Sequence, residues 1–402
     1  MLDAYIYNGL RTPFGRNAGA LSKVRPDDML GGIIRAVVDS SSFAEDTIDD
    51  VIVGCGNQAG EDSRCVARHA LLRAGLPIET PGTVLQRNCG SGMGAIISAA
   101  HAITCGEGEV MIAGGVESMT RAPFVIGKAE QAFTKQMTVF DSALGARFPN
   151  PKIEKEFGTD TMPQTSDNLA ADYDLSREDC DTFAYQSQQK YAAAKADGFF
   201  DGEIHAVTVP GGRKQPDTVV EEDEFPRPDT QIEKLAALRT LNPSGVTTAA
   251  NASGLNDGAV AMVVASQSAG ESVGETPLVR ILSSGVAGVP PRIMGYGPVP
   301  AAEIALKRAG LTMADMDVIE INEAFAAQVL ACLKGMGIAF DDSRVNPNGG
   351  AITVGHPLGA SGPRIALTAA RQLRRVEGRY ALVSMCIGLG QGIAMVMERP
   401  DS

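Results

Sequence analysis

Tryptophan is absent from this 402-residue chain, and aromatic residues make up only 5% of it. Side chains able to stack on bases are therefore scarce. Positive charge is also in short supply: 35 Lys and Arg face 48 Asp and Glu, a net charge of −13. That balance excludes the basic footprint of a nucleic-acid-binding protein and argues against non-specific attraction to acidic membranes. Anionic ligands are left with local basic residues or helix N-termini. The seven cysteines are odd in number and form no C-x-x-C, which argues against a disulfide framework or a zinc site. No apolar run reaches the roughly 18 residues of a membrane span. The start, MLDAYIYNGLRTPFG, has no basic stretch ahead of an apolar one, and the end, ERPDS, is not a peroxisomal S-K-L. The expectation is a reduced, cytoplasmic, soluble protein with no membrane and no nucleic-acid partner.

What the chain does have is glycine, 45 residues of it, in an ordinary globular composition of 44% hydrophobic and 21% charged residues. Tight turns and close backbone approaches are expected, and the length suffices for two or three domains with real cores. Short β-branched runs at 48–56, 108–115 and 379–388 alternate with helical patterns such as GAIISAAHAITCG (94–106). This alternation predicts an α/β fold with mostly parallel strands. An internal repeat is visible at a spacing of 267 residues. Val51 in DDVIVG matches Val318 in MDVIEI, and Cys89 matches His356, each followed by glycines and an alanine-rich helix. GEVMIAGGVESM (108–119) likewise resembles GRYALVSMCIGLG (378–390). Two similar halves are predicted, 1–265 and 275–402, joined by the polar ASQSAGESVGETP (265–277). The stretch from about 117 to 250 has no repeat partner and reads as an insertion in the first half, a lid or substrate-facing subdomain.

Four positions could carry chemistry. Cys89 sits in RNCGSGMGA, where glycines at 90, 92 and 94 permit a sharp turn and close ligand approach. The N-terminus of the helix behind it would favour thiolate and lower the thiol pKa. On this segment alone, a small buried cysteine beside a turn reads equally well. Of the four histidines, His69 and His101 lie in helical patterns and His205 in the insertion. His356, in NPNGGAITVGHPLGASG, is flanked by glycine and followed by Pro357. Packing explains such a histidine poorly, and near a thiol it could take the proton. Cys386, in SMCIGLGQGIAM, ends a β-run; a buried strand-end cysteine and a second, proton-transferring thiol are both open. The glycines after it do not complete a G-x-G-x-x-G, because position 393 is Ile. Asn322, in VIEINEAFAAQ, reads either as a helix cap or as an amide that fixes a water or a substrate oxygen.

Taken together, NCGSGMGA (88–95), GGVESMTRAPF (114–124), NASGLNDGA (251–259), NEAFAAQ (322–328), GGAITVGHPLGASG (349–362) and CIGLGQG (386–392) resemble the thiolase family, in that family's order and over essentially the whole chain. The resemblance implies the thiolase fold, two βαβαβαββ-type halves in α/β layers. It implies acyl transfer between a 3-oxoacyl-CoA and CoA by ping-pong chemistry through an S-acyl cysteine, with coenzyme A as substrate and no tightly bound cofactor. Cys89 would be the nucleophile, His356 its base, and Cys386 the acid or base at the α-carbon. One oxyanion hole would use His356 and a water held by Asn322; the other would use the N–H groups of Cys89 and Gly388. Ser253 would lie beside the pantetheine of CoA, and Arg227, one residue out of the expected spacing, near its adenine end. A homotetramer built as a dimer of dimers is also implied. Two departures stand out: Asn88 where leucine is common, and TTAANASG where TAGNASG is usual.

Several stretches, among them GCGNQAGEDSRCVARHALLRAGLP (54–77), ARFPNP (146–151) and FGTDTMPQTSDNLA (157–170), resemble those thiolases that cleave 3-oxoadipyl-CoA. Degradation is then the expected direction. That acyl group ends in a carboxylate, which Arg147 could grip bidentately; a solvated loop arginine is the plainer alternative. The competing readings are an acetoacetyl-CoA-forming acetyltransferase and a general 3-ketoacyl-CoA thiolase. A ketoacyl synthase would carry a histidine where Cys386 stands. A non-catalytic acyl-CoA carrier would be expected to have lost one of Cys89, His356 and Cys386.

Overall fold

The computed structural model describes residues 2–400. Met1 and the last two residues of ERPDS lie outside that range, and with them the outermost ends of the two predicted halves.

The first half reads β1 (Ala4–Arg11), α1 (Pro26–Asp39), β2 (Asp50–Gly54), α2 (Val66–Arg73), β3 (Gly82–Leu85), α3 (Ser91–Thr104) and β4 (Val110–Ser118). After the insertion it closes with β5 (Asn256–Ala265). The second half reads β6 (Val279–Gly288), α7 (Pro298–Ala309), β7 (Val318–Ile321), α8 (Ala326–Met336), α9 (Leu358–Arg375), β8 (Tyr380–Ile387) and β9 (Gln391–Glu398). The helices between include α4 (Met162–Asp172) and α5 (Arg177–Ala196) in the insertion, and α6 (Gln267–Val273) between the halves. The strands order β7-β8-β9-β6-β1-β5-β4-β2-β3. Each half repeats the same order outward from β1 and β6, where three residue pairs from Ala4↔Ile281 to Ile6↔Val279 join them. The outermost strand of the second half survives only as a bridge between Ile319 and Val345.

The expected parallel majority does not hold. Among the described strands only β2–β3, β2–β4 and β7–β8 pair parallel, with the Val345 bridge on β7 in the same sense; β1–β5, β1–β6, β4–β5, β6–β9 and β8–β9 run antiparallel. The three-residue turn between β8 and β9 can produce nothing else, and the long insertion lets β5 return against β4 in the same sense.

Three apolar clusters define the layers. The central one joins Met93 and Ile96 of α3 to Ile365 and Leu367 of α9, against Met262, Val383 and Met395 of both half-sheets. The first half's outer cluster packs Leu30 and Ile33 of α1 on Val51, Val53 and Ile112. The second half's outer cluster packs Val299 and Leu330 on Ile319, Ile321 and Val396. Leu169, Cys180 and Phe183 of the insertion belong to that last cluster, so the insertion roofs the second half as well as hanging from the first. Arg11, fully buried on β1, fastens it there: its Nε meets Glu203 at 2.6 Å and its Nη1 meets Asp223 at 2.6 Å.

Two sequence readings need adjustment. The repeat spacing of 267 holds for the helices, because α3 starts at Ser91 and α9 at Leu358. In the strands it slips by a residue, since Val51 faces outward and Val318 faces the central layer. The polar joint between the halves is partly helical, as α6. Ser266 caps α6 by accepting from the Ala269 N–H, and Gly270 lies against Tyr7, where a Cβ would overlap the ring.

Candidate active site

Cys89 and His356 each lie two residues ahead of a central helix. The starts of those helices are pressed together: a Cβ on Gly92 would overlap the Gly359 carbonyl, a contact only glycine allows. Gly388 sits in the β8–β9 turn, two residues after Cys386, and its backbone N–H favours the thiolate form of Cys89. The two halves thus contribute to one junction.

Cys89 is half-buried. Desolvation pushes its thiol up to about 11, against the pull of the Gly388 N–H, and the Glu117 carboxylate pushes the same way as desolvation. The expected lowering of the thiol pKa by the helix N-terminus therefore fails. Desolvation outweighs it, and the Gly90 and Ser91 N–H groups are in any case committed to the carbonyls of Arg87 and Asn88. His356 is buried, and that burial, helped by the Arg364 guanidinium, takes it down to about 4. Its Nδ1 lies 2.6 Å from Ser361 Oγ. The Ser361 hydroxyl donates to the Pro357 carbonyl at 2.9 Å, so it accepts from Nδ1–H, and Nε2 is left as the basic nitrogen. The His356 backbone N–H is held by Asn256 Oδ1 at 3.0 Å.

Asn322 is buried, with Nδ2 straddling the imidazole at 3.4 and 3.5 Å from its two nitrogens, and Oδ1 has no protein partner. It is not a cap, because α8 starts at Ala326 with Phe325 as its N-cap. Cys386 is buried with Ala252, Met294, Ala324 and Phe325. Burial raises its thiol well above the ordinary value, and Cys89 adds to the effect. Ser253 is tied to the same wall, its N–H and hydroxyl both donating to the Ala324 carbonyl at 3.0 and 3.1 Å.

Arg227 is exposed on a loop held by its own N–H to Gln188 Oε1 at 2.8 Å. Phe225 of that loop packs on Gly254, next to Ser253. Arg147 is half-buried, and its Nη1 donates to Asn57 Oδ1 at 2.7 Å and to the Ser142 carbonyl at 3.2 Å. It lines a pocket of about 260 Å³ with Asn57, Gln58, Gln86 and Val125.

Sequence reasoning missed Ser361, Asn256, Gln86 and Glu117. The first two sit inside the motifs GASG and GLND, where their small polar side chains gave no separate signal. Glu117 is buried, and burial raises its pKa to about 7 even though N–H groups of Gly56, Asn57 and Gly359 donate to it. With Cys55 and Asp62 it brings possible ligand atoms within 4.8 Å of one another. Its oxygens are already committed to those three backbone groups, so the cluster works as a tie between β2, β4 and α9.

Two like α/β halves meet at a half-buried thiol, a neutral imidazole and a buried second thiol. Residues 4–268 match the thiolase N-terminal domain and residues 275–399 the thiolase C-terminal domain. The chain belongs to the thiolase family and is an acyltransferase. It is 52% identical over 403 residues to a beta-ketoadipyl-CoA thiolase of Acinetobacter baylyi, covering 99% of this chain and 100% of that protein. It is also 52% identical over 401 residues to the 3-oxoadipyl-CoA/3-oxo-5,6-dehydrosuberyl-CoA thiolase of Escherichia coli, covering 99% and 100%. Human mitochondrial 3-ketoacyl-CoA thiolase superposes with a TM-score of 0.92 at 38% identity, covering 100% of this chain and 99% of that one. The thiolase fold expected from the motifs is therefore the fold observed.

Proposed function

We propose that this protein cleaves 3-oxoadipyl-CoA with CoA, giving succinyl-CoA and acetyl-CoA. The observation that carries the acyl preference is Arg147, tethered through one nitrogen at the rim of a pocket whose wall reaches Cys89 through Gln86 and Asn88. The identity of 52% to thiolases named for this substrate, against 42% to the mitochondrial 3-ketoacyl-CoA thiolase of Bos taurus, supports the same choice.

In this reading Cys89 gives its proton to His356 Nε2 as the sulfur attacks the C3 carbonyl. The N–H groups of Cys89 and Gly388 receive the resulting oxyanion. Collapse breaks the C2–C3 bond, leaving a succinyl thioester on Cys89 and the enolate of acetyl-CoA. His356 and a water held by Asn322 face the enolate oxygen. Cys386, whose burial keeps its proton on, protonates the enolate carbon. The Cys386 thiolate then takes the proton of incoming CoA, whose sulfur displaces Cys89, and His356 returns the first proton. Ser253 and Arg227 line the approach of pantetheine and adenine. CoA is a substrate throughout, and the reaction needs no metal or resident cofactor.

Thiolysis of 3-oxoadipyl-CoA, acetoacetyl-CoA and a medium-chain 3-oxoacyl-CoA at equal enzyme tests the reading. The highest kcat/KM belongs to the dicarboxylic substrate, and Arg147→Ala raises its KM about 10- to 100-fold, the value of a charge-assisted hydrogen bond. Acetoacetyl-CoA is unaffected by that change. An equal loss on both substrates would remove Arg147 from the pocket's chemistry, and a wild-type preference for a neutral substrate would make the enzyme a general acyltransferase. The apolar side chains Phe124, Ile126, Phe133, Met137 and Val139, all exposed on the inserted hairpin region, suit burial in a homotetramer, which light scattering would measure. A cytoplasmic location fits the absence, among the described residues, of a helix able to cross a membrane.

A further inference from the structure

In the proposed reaction the N–H of Gly388 has to stay aimed at the acyl oxygen on Cys89, yet Gly388 is loosely packed. A Cβ built on it would meet only Met162 Sδ at 3.9 Å and Asn88 Nδ2 at 4.0 Å. The far end of the same turn is fixed: the Gly390 carbonyl accepts from the Val289 N–H at 2.8 Å, and a Cβ on Gly390 would overlap the Val289 carbonyl. Leu389 and Gly390 both adopt positive φ, at 71° and 86°. Without a tether, the near end of such a turn is free to rotate its peptide planes.

Asn88 supplies a tether from the opposite half of the molecule. Its Nδ2 donates to the Gly388 carbonyl at 3.2 Å. Its Oδ1 accepts from Gln86 Nε2 at 3.1 Å, and the same nitrogen lies 3.2 Å from the Gly56 carbonyl. Gly56 and Gln86 line the Arg147 pocket. A chain of hydrogen bonds therefore runs from the wall of that pocket to the turn that carries Gly388. Asn88 has φ 46°, a conformation that asparagine tolerates far better than a branched or bulky residue. Its backbone turns the chain into Cys89 while its side chain spans the junction.

We propose that Asn88 is a positioning residue: its amide holds the Gly388 carbonyl and so restrains rotation at the Gly388 Cα, keeping the N–H on the other side of that atom aimed at the acyl oxygen, and Gln86 links that restraint to the wall of the acyl pocket. The proposal rests on the reading of Cys89 as the acylated nucleophile. Asn88 exchanges no proton and touches no reacting atom.

The test separates backbone from side chain. Asn88→Gly keeps the left-handed conformation and deletes the amide; Asn88→Asp keeps the shape and the tolerance for positive φ but replaces the donor with a carboxylate that repels the Gly388 carbonyl. Both are compared with wild type for KM, kcat and the carbonyl stretch of the acyl thioester formed on Cys89 from carbonyl-labelled acyl-CoA. The expected result is a fall in kcat of about tenfold, the loss of one aligned hydrogen bond, with KM within about twofold, and a higher carbonyl frequency in both variants. Unchanged kcat and an unchanged carbonyl band in Asn88→Gly would overturn the proposal and leave Asn88 a turn residue only. A wild-type enzyme that forms no acyl adduct on Cys89 would overturn the proposal together with the acyl-transfer reading; an intact adduct with unmoved variants overturns the positioning role alone.

Discussion

His356, the base of the proposed reaction, is kept free of its proton by burial. An imidazole taken down to about 4 by desolvation and by Arg364 is neutral, and so competent, across the whole physiological range. The acid limb of kcat/KM is therefore expected near pH 4 and not near the ordinary histidine value of about 6.5. A stability consequence follows in the same window. Below about pH 6.5 the unfolded chain takes up a proton that folded His356 refuses, so this residue's contribution is full above that pH and is lost as pH falls towards about 4. A pH–rate profile on wild type that bent at about 6.5 would mean the imidazole is solvated in the working enzyme. The pair Cys89 and His356 was legible because both lie in glycine-rich turns at one repeat spacing. Ser361 was not. It reads as one more small residue of α9, and only its contacts with Nδ1 and the Pro357 carbonyl reveal that it sets the tautomer.

At the scale of elements, the junction depends on two helices approaching closely enough that their N-termini share a site. Gly359 lies against the carbonyls of Val116 and Gly54, where a Cβ has no room. Gly359→Ala is expected to cost roughly 1–3 kcal/mol and to lower activity, since the displaced backbone carries His356. Gly32 on α1 is the contrasting case: it is exposed in a helix interior, with nothing within 4 Å of a built Cβ. Gly32→Ala should stabilise by about 0.5–1 kcal/mol without altering turnover. Thermal unfolding of the two variants side by side measures both signs. Strand positions and the central helices could be read from apolar periodicity and from the repeat. Strand direction could not, because the same alternation of elements is compatible with either sense wherever a tight turn or a long insertion replaces a helical crossover. The one-residue slip between Val51 and Val318 was hidden for a related reason: matching letters do not report which face of a sheet a side chain takes.

Across the whole molecule, the insertion couples the halves. Arg11 on β1 grips Glu203 and Asp223 from the insertion, and the Tyr191 hydroxyl donates to Asp223 at 2.9 Å. Burial alone would raise the Asp223 carboxyl, but the Arg11 guanidinium overrides it and holds the group below the ordinary value. Arg11→Met would strand two carboxylates in the interior and is expected to cost about 3–5 kcal/mol, read from urea unfolding. The same ion cluster makes the wild type acid-sensitive. Asp223 contributes above its unfolded pKa, and the contribution is lost as pH falls through the lower folded value. None of this was visible in the sequence, where Arg11, Glu203 and Asp223 stand far apart with no motif around them.

The protonated state of Cys89 at rest has a last consequence. Peroxide attacks thiolates far faster than thiols. If Cys89, pushed up to about 11, gives up its proton only as in the proposed reaction, it is expected to be oxidised slowly while the enzyme is idle, which thiol labelling after peroxide treatment would measure. Durability against oxidants comes here from the same desolvation that makes a separate base necessary.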